Sequence, residues 1–65
     1  MDFSSYHPAV IAIAADMLGW KKTVHIKANG NLEWYGASSH PTANAMMAKM
    51  TDAQAEYDAN GAKGS

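Results

Sequence analysis

The chain lacks cysteine and arginine, and each absence excludes a kind of function. Without cysteine there is no disulfide framework, no thiolate metal site and no thiol nucleophile. Without arginine, the recognition of bases and phosphates loses its usual bidentate side chain. The net charge of −1 provides no basic surplus to draw the chain to nucleic acid.

Large apolar residues are also few. The 65 residues allow one domain, and 13 of the 31 hydrophobic residues are alanine, so 18 larger ones remain to form a core. A chain this small, without disulfides or a structural metal, usually needs a partner or copies of itself for stability. We therefore expect the isolated chain to be oligomeric or incompletely folded.

The longest apolar run is residues 9–15, continued by Met17 and Leu18 beyond Asp16. It has about half of the roughly 20 residues that a membrane-spanning helix needs, so we expect no membrane span. Residues 1–7 carry an acid and no Lys or Arg, which does not fit a signal peptide, and we expect no secretion by that route. The run instead predicts a helix that is apolar on all sides and must be covered on most of them.

Two helices are predicted, at residues 8–19 and 41–60. Serines stand shortly before Pro8 and Pro41, where they can cap a helix whose first turn contains the proline. Gly19 can adopt the left-handed conformation that ends the first helix.

The second predicted helix carries a weak apolar seam. Its members recur at steps of three and four residues: Ala43, Met46, Met50, Ala53 and Tyr57. Residues 51–54 also fit a capping box, so this helix is either continuous or broken near Met50. Residues 61–65 form a tail with nothing to bury, and we expect a neighbouring molecule to order it.

Residues 22–35 alternate between apolar and polar side chains, as the strands of a β-hairpin do. The register follows from which residues each possible loop length would pair. A two-residue turn at Asn29 and Gly30 would mix apolar and charged side chains on both faces. A three-residue loop, 28–30, pairs Ile26 with Leu32 and gives one apolar and one polar face. Gly30 then occupies the left-handed position of that loop, so we predict the second register and an α+β fold of helix, hairpin and helix.

No residue pattern indicates catalysis, a cofactor or a metal site. His7, His25 and His40 match no compact ligand spacing. A hydrolase would need Ser38 or Ser39 beside a His and a buried Asp, and no nucleophile elbow or oxyanion loop accompanies these serines. We expect a protein that is not an enzyme.

Weak nucleic-acid binding by the hairpin is one alternative. Lysines and aromatic residues, which can neutralise phosphates and stack on bases, cluster there: Lys21, Lys22, Lys27, Trp20, Trp34 and Tyr35. The missing arginine and the negative net charge weigh against it, and we expect nucleic-acid binding to be absent.

Protein contacts fit the composition better. A two-stranded hairpin has two open edges and gains stability by lending one to a neighbouring sheet. Aromatic and Met residues are enriched at interfaces, so the predicted contact residues are Trp20, Tyr35, Met46, Met47 and Met50.

The function predicted is a non-catalytic assembly protein that acts through protein contacts. Small chains of this kind are often minor components of a virion, so we expect a bacteriophage capsid or tail protein located in the virion, although no residue specifies this. The alternative is a soluble, cytoplasmic regulator that binds and inhibits a host protein.

Overall fold

A helix, a hairpin and a second helix follow one another in the computed structural model, which describes residues 2–36 and 39–61. The elements are α1 (Pro8–Met17), β1 (Val24–Ile26), β2 (Leu32–Trp34) and α2 (Ala43–Asn60). The predicted α+β order is confirmed. The tail after residue 61 lies outside the described residues. The expectation that a neighbouring molecule orders this tail therefore concerns residues that the structure does not describe.

The first helix begins with Pro8 in its first turn, as predicted, but its cap is not a serine. The Nδ1 atom of His7 accepts a hydrogen bond from the Ala9 N–H at 3.0 Å. At the other end Gly19 has a φ of +93°. The N–H of Trp20 donates to the Ala15 carbonyl at 2.9 Å, which completes a Schellman motif and confirms the predicted stop.

The hairpin has the predicted register. Val24 pairs with Trp34 and Ile26 with Leu32, while His25 lies opposite Glu33. The strands are three residues each, shorter than the predicted 22–35 segment. In the loop Gly30 has a φ of +88°, which confirms the left-handed position.

The second helix is continuous from Ala43 to Asn60, so of the two alternatives the break near Met50 does not occur. Met50 is buried in the middle of the seam, and its place there depends on an unbroken helix. The predicted start at Pro41 is wrong. Thr42 is the cap, with its hydroxyl accepting from the Ala45 N–H at 3.1 Å, and Pro41 precedes it.

The core forms where α1 packs on α2 and on β1 of the hairpin. Its buried members are Phe3, Val10, Ile11, Ile13, Ala14, Ala15, Trp20, Met46, Met50 and Ala53. Phe3 and Trp20 come from outside the four elements, and they help to enclose α1. Sequence analysis had assigned no role to Phe3.

Few large apolar side chains are uncovered among the described residues. Their exposed large hydrophobic side chains are Met17 at 40% and Tyr35 at 45%. The accessible surface is 4000 Å², and a folded monomer of 6.9 kDa is expected to have about 4,000 Å². The buried side chains of the core are thus covered by residues of the chain itself.

Candidate functional site

The hydrogen bonds of the hairpin determine which backbone groups remain open. The Lys27 N–H donates to the Asn31 carbonyl at 2.7 Å, and the Tyr35 N–H donates to the Thr23 carbonyl at 3.0 Å. In an antiparallel pair, hydrogen-bonded positions alternate with positions that turn their polar groups outward. The pair at His25 is therefore hydrogen-bonded as well, and its neighbours on both sides are not.

Each strand consequently presents two residues to its outer edge. On β1 these are Val24 and Ile26, and on β2 they are Leu32 and Trp34. Their side chains point to the inner face, while their N–H and C=O groups point away from the hairpin. Both edges thus have the same number of open backbone groups with which to pair another strand.

The edge of β2 has close neighbours from its own chain. The Phe3 N–H donates to the Gly30 carbonyl at 2.8 Å, which holds the N-terminal segment against the turn. The His40 ring stacks on Trp34 with centroids 4.7 Å apart and 3° between planes. A cleft of about 160 Å³ lies between β2 and these residues.

The edge of β1 borders a larger cleft, of about 270 Å³. All three residues of β1 line it, including His25 on the outer face, and none from β2 does. Because residues from both faces of one strand line the cleft, it lies along the outer edge of that strand. Pro8 and Ile11 of α1 form its other wall.

The outer face of the hairpin is polar and partly aromatic. The rings of His25 and Tyr35 meet edge to face, with centroids 5.1 Å apart. The Tyr35 hydroxyl is hydrogen-bonded to Glu33, and this bond raises the pKa of the tyrosine. Lys27 is exposed at the turn end of β1, and the register places it at the opposite end of the hairpin from Tyr35.

The structure does not gather the predicted contact residues into one surface. Tyr35 is exposed on the hairpin, and Met47 is half-buried, with its sulfur 3.7 Å from the Tyr6 hydroxyl. The side chains of Trp20, Met46 and Met50 are enclosed in the core. A partner would reach these three only after a rearrangement.

Trp20, which was predicted to contact a partner, is buried by its own chain. Its side chain is 5% exposed and meets Trp34 edge to face at 5.3 Å. The indole N–H donates to the Thr23 carbonyl at 3.3 Å. A tryptophan at the end of an element can fold back when a neighbouring apolar face lacks cover, and here that face belongs to the hairpin.

The three histidines lie in different parts of the fold. His7 caps α1 and stacks on Tyr57 at 5.2 Å, whereas His25 and His40 lie beside the hairpin. Across residues 2–36 and 39–61, no three His, Asp or Glu side chains are grouped as a metal ion would need. Ser39 is described, and Ser38 lies outside the described residues.

The lysine and aromatic cluster considered for nucleic acid is dispersed by the fold. Trp20 is buried, Trp34 is half-buried under His40, and Lys21 forms an ion pair with Asp16. Tyr35 alone of the three aromatics is exposed. A run of stacking platforms, which single-stranded nucleic acid binding uses, is therefore missing from this described part of the chain.

Comparison with protein families, with curated proteins and with solved structures finds no match to this chain. Within the described ranges, no helix combines the length and the apolar character required to cross a membrane. The functional argument therefore depends on the geometry of the hairpin edges.

Sequence reasoning overlooked Pro8 and Ile11 as part of the candidate site. The open backbone groups of Val24 and Ile26, in contrast, follow directly from the predicted register, since hydrogen-bonded and open positions alternate. The predicted register therefore indicates which backbone groups are open. It does not indicate which of the two edges is covered, because that depends on how α1 and the N-terminal segment pack.

Proposed function

We propose that this chain is a non-catalytic protein-binding module that contacts its partner through the hairpin. One observation carries the proposal: the outer edges of the hairpin keep unpartnered backbone groups, while the apolar side chains of the described residues are almost all enclosed. Exposed strand edges are templates for pairing with another chain. The contact is thus made by backbone hydrogen bonds and not by a large apolar patch.

The core of the described residues is enclosed by the chain itself, which supports a contact through the hairpin edges. The expectation that the isolated chain is oligomeric or incompletely folded stays a prediction. The narrower expectation, a minor bacteriophage capsid or tail component located in the virion, stays a prediction, and so does the alternative of a cytoplasmic regulator.

Site-specific photocrosslinking tests the proposal in the cells that produce the protein. A benzophenone amino acid replaces Tyr35 on the hairpin, and the matched control replaces Ala48, which is exposed on α2. We expect an adduct with another protein from position 35 and none from position 48. No adduct from position 35, or equal adducts from both positions, would contradict a contact through the hairpin.

The fraction in which the adduct sediments separates the two narrower functions. An adduct that sediments with particles and contains one of their proteins supports the virion component. An adduct in the soluble fraction, with a protein of the host cell, supports the regulator.

A further inference from the structure

We propose that the outer edge of β1 binds an extended segment of a partner protein as a third strand, and that this segment alternates apolar and acidic side chains. The inference rests on the proposed function, since it specifies the edge used and the chemistry of the partner.

The backbone of β1 supplies the hydrogen bonds. Val24 and Ile26 each turn one N–H and one C=O away from β2, and a guest strand alongside can pair with all four groups. The cleft between this edge and α1 provides the space. Strand addition of this kind draws affinity from main-chain hydrogen bonds and specificity from alternate side chains.

The inner side of the guest strand meets an apolar wall. Pro8 of α1 is exposed on the far side of the cleft, and Ile11 behind it is 1% exposed, so Pro8 and the half-buried side chains of Val24 and Ile26 supply the apolar surface. Because successive side chains of a strand point to opposite faces, every second residue of the guest points toward this wall. Apolar side chains at those positions are the ones that fit.

The outer side of the guest meets the positive charge of Lys27. Lys21, earlier in the same segment, forms an ion pair with Asp16. Lys27 is exposed, and no carboxylate among the described residues lies within 4.0 Å of its Nζ. Acidic side chains on the outer face of the guest therefore gain a cross-strand partner.

The same charge disfavours a second copy as the occupant. If two β1 edges paired around His25, Lys27 of each copy would lie opposite Thr23 of the other, and residues 21–27 of that copy contain no acid. An acidic segment gives Lys27 a cross-strand partner that a second copy lacks. The partner is consequently a different protein with an acidic, extended segment.

The test uses the full chain made by chemical synthesis and a blocked peptide of alternating valine and glutamate. N-methylation of Ile26 removes one open N–H of β1 and leaves the pairing with β2 intact. The matched control is N-methylation of Leu32, on the outer edge of β2. Binding is measured by calorimetry, and the binding site is mapped by amide chemical shifts.

We expect the shifts to fall on residues 24–26 and N-methyl-Ile26 to weaken binding about tenfold, the equivalent of one lost hydrogen bond with its added clash. N-methyl-Leu32 should leave the affinity unchanged. Lys27→Glu should reverse the preference, so that a valine and lysine peptide binds better than the valine and glutamate peptide. If circular dichroism shows that N-methyl-Ile26 does not fold, the peptide preference of Lys27→Glu tests the inference in its place.

Three results would overturn the inference: no binding of the valine and glutamate peptide to the folded chain, shifts centred on β2, or equal losses from the two N-methyl variants. Self-association that N-methyl-Ile26 abolishes would assign the edge to a second copy and would also overturn it. A crosslink from position 35 would still support the proposed function in any of these cases, so the two failures are distinguishable.

Discussion

The two strands of the hairpin are alike in sequence pattern and differ in what lies beside them. Each has three residues, with two half-buried side chains around an exposed one, and each turns the same backbone groups outward. Beside β2 the chain places Phe3 and His40. Beside β1 it leaves the larger cleft against α1. Among the described residues, one edge thus has close neighbours from its own chain, and the other borders the cleft that we propose for the partner.

The largest expected effect comes from the residue that anchors the N-terminal segment beside β2. Phe3→Ala should lower the free energy of unfolding by about 3 kcal/mol, because a large side chain that is 1% exposed leaves a cavity. Met17→Ala, at an exposed position of α1, should cost less than about 0.5 kcal/mol. Chemical denaturation measures both. A loss below about 1 kcal/mol for Phe3→Ala would show that this segment does not stabilise the β2 side.

A second comparison tests the close approach of that segment to the turn. Gly30→Ala should cost about 2 kcal/mol, because the φ is positive and the new Cβ would lie 2.9 Å from Cγ of Asp2. Gly19→Ala has a similar φ of +93° but open space around its Cβ, so it should cost about 1 kcal/mol. Thermal melts of the two variants check the difference. Equal costs would mean that Asp2 moves aside freely.

The two exposed histidines of the hairpin region give a smaller contrast. His40→Ala removes a ring stacked on Trp34 and should cost about 1 kcal/mol. His25→Ala, on the outer face next to Tyr35, should cost a few tenths of a kcal/mol. Amide exchange at Glu33 and Tyr35, whose N–H groups are hydrogen-bonded to β1 and its preceding residue, should accelerate only in His40→Ala. The same acceleration in both variants would remove the distinction between the edges.

The smallest expected effect is the contribution of Asp2, which lies near the hairpin turn, to the pH dependence of stability. Hydrogen bonds from the Ser4 hydroxyl, at 2.6 Å, and from the Ser4 N–H, at 2.8 Å, lower the pKa of Asp2 from its usual 3.8. Because the folded pKa is below the unfolded one, this contribution to stability is present above about pH 4 and is lost as the pH falls through the folded pKa. An NMR titration of the carboxyl carbon should have its midpoint below 3.8, and Ser4→Ala should raise it. A midpoint unaffected by Ser4→Ala would exclude this cause.

The hairpin was predictable from sequence, because alternation with a period of two admits one register that separates apolar from charged side chains. The end of α1 was predictable for a similar local reason, the glycine at position 19. The residues that cap the two helices were harder to predict. His7 and Thr42 replaced the expected serines, since several nearby side chains can accept the same backbone hydrogen bonds.

The packing beside the strands could not be predicted in this way. Phe3 reaches Gly30 across 27 positions of the chain, and the stacking of His40 on Trp34 depends on the path of the segment before α2. The burial of Trp20 likewise follows from the need to cover the inner face of the hairpin. These contacts join residues distant in sequence, and local patterns carry no information about them.

Hydrogen exchange of the hairpin amides, measured by NMR with and without the valine and glutamate peptide, tests the central claim most directly. In the free protein, the amides of residues 25, 27 and 35 should be protected, and those of Val24 and Ile26 should exchange fast. The peptide should then protect Val24 and Ile26 and leave Leu32 and Trp34 unchanged. Protection of Val24 and Ile26 in the free monomer, or protection by the peptide at Leu32 and Trp34, would contradict an open β1 edge that receives the partner.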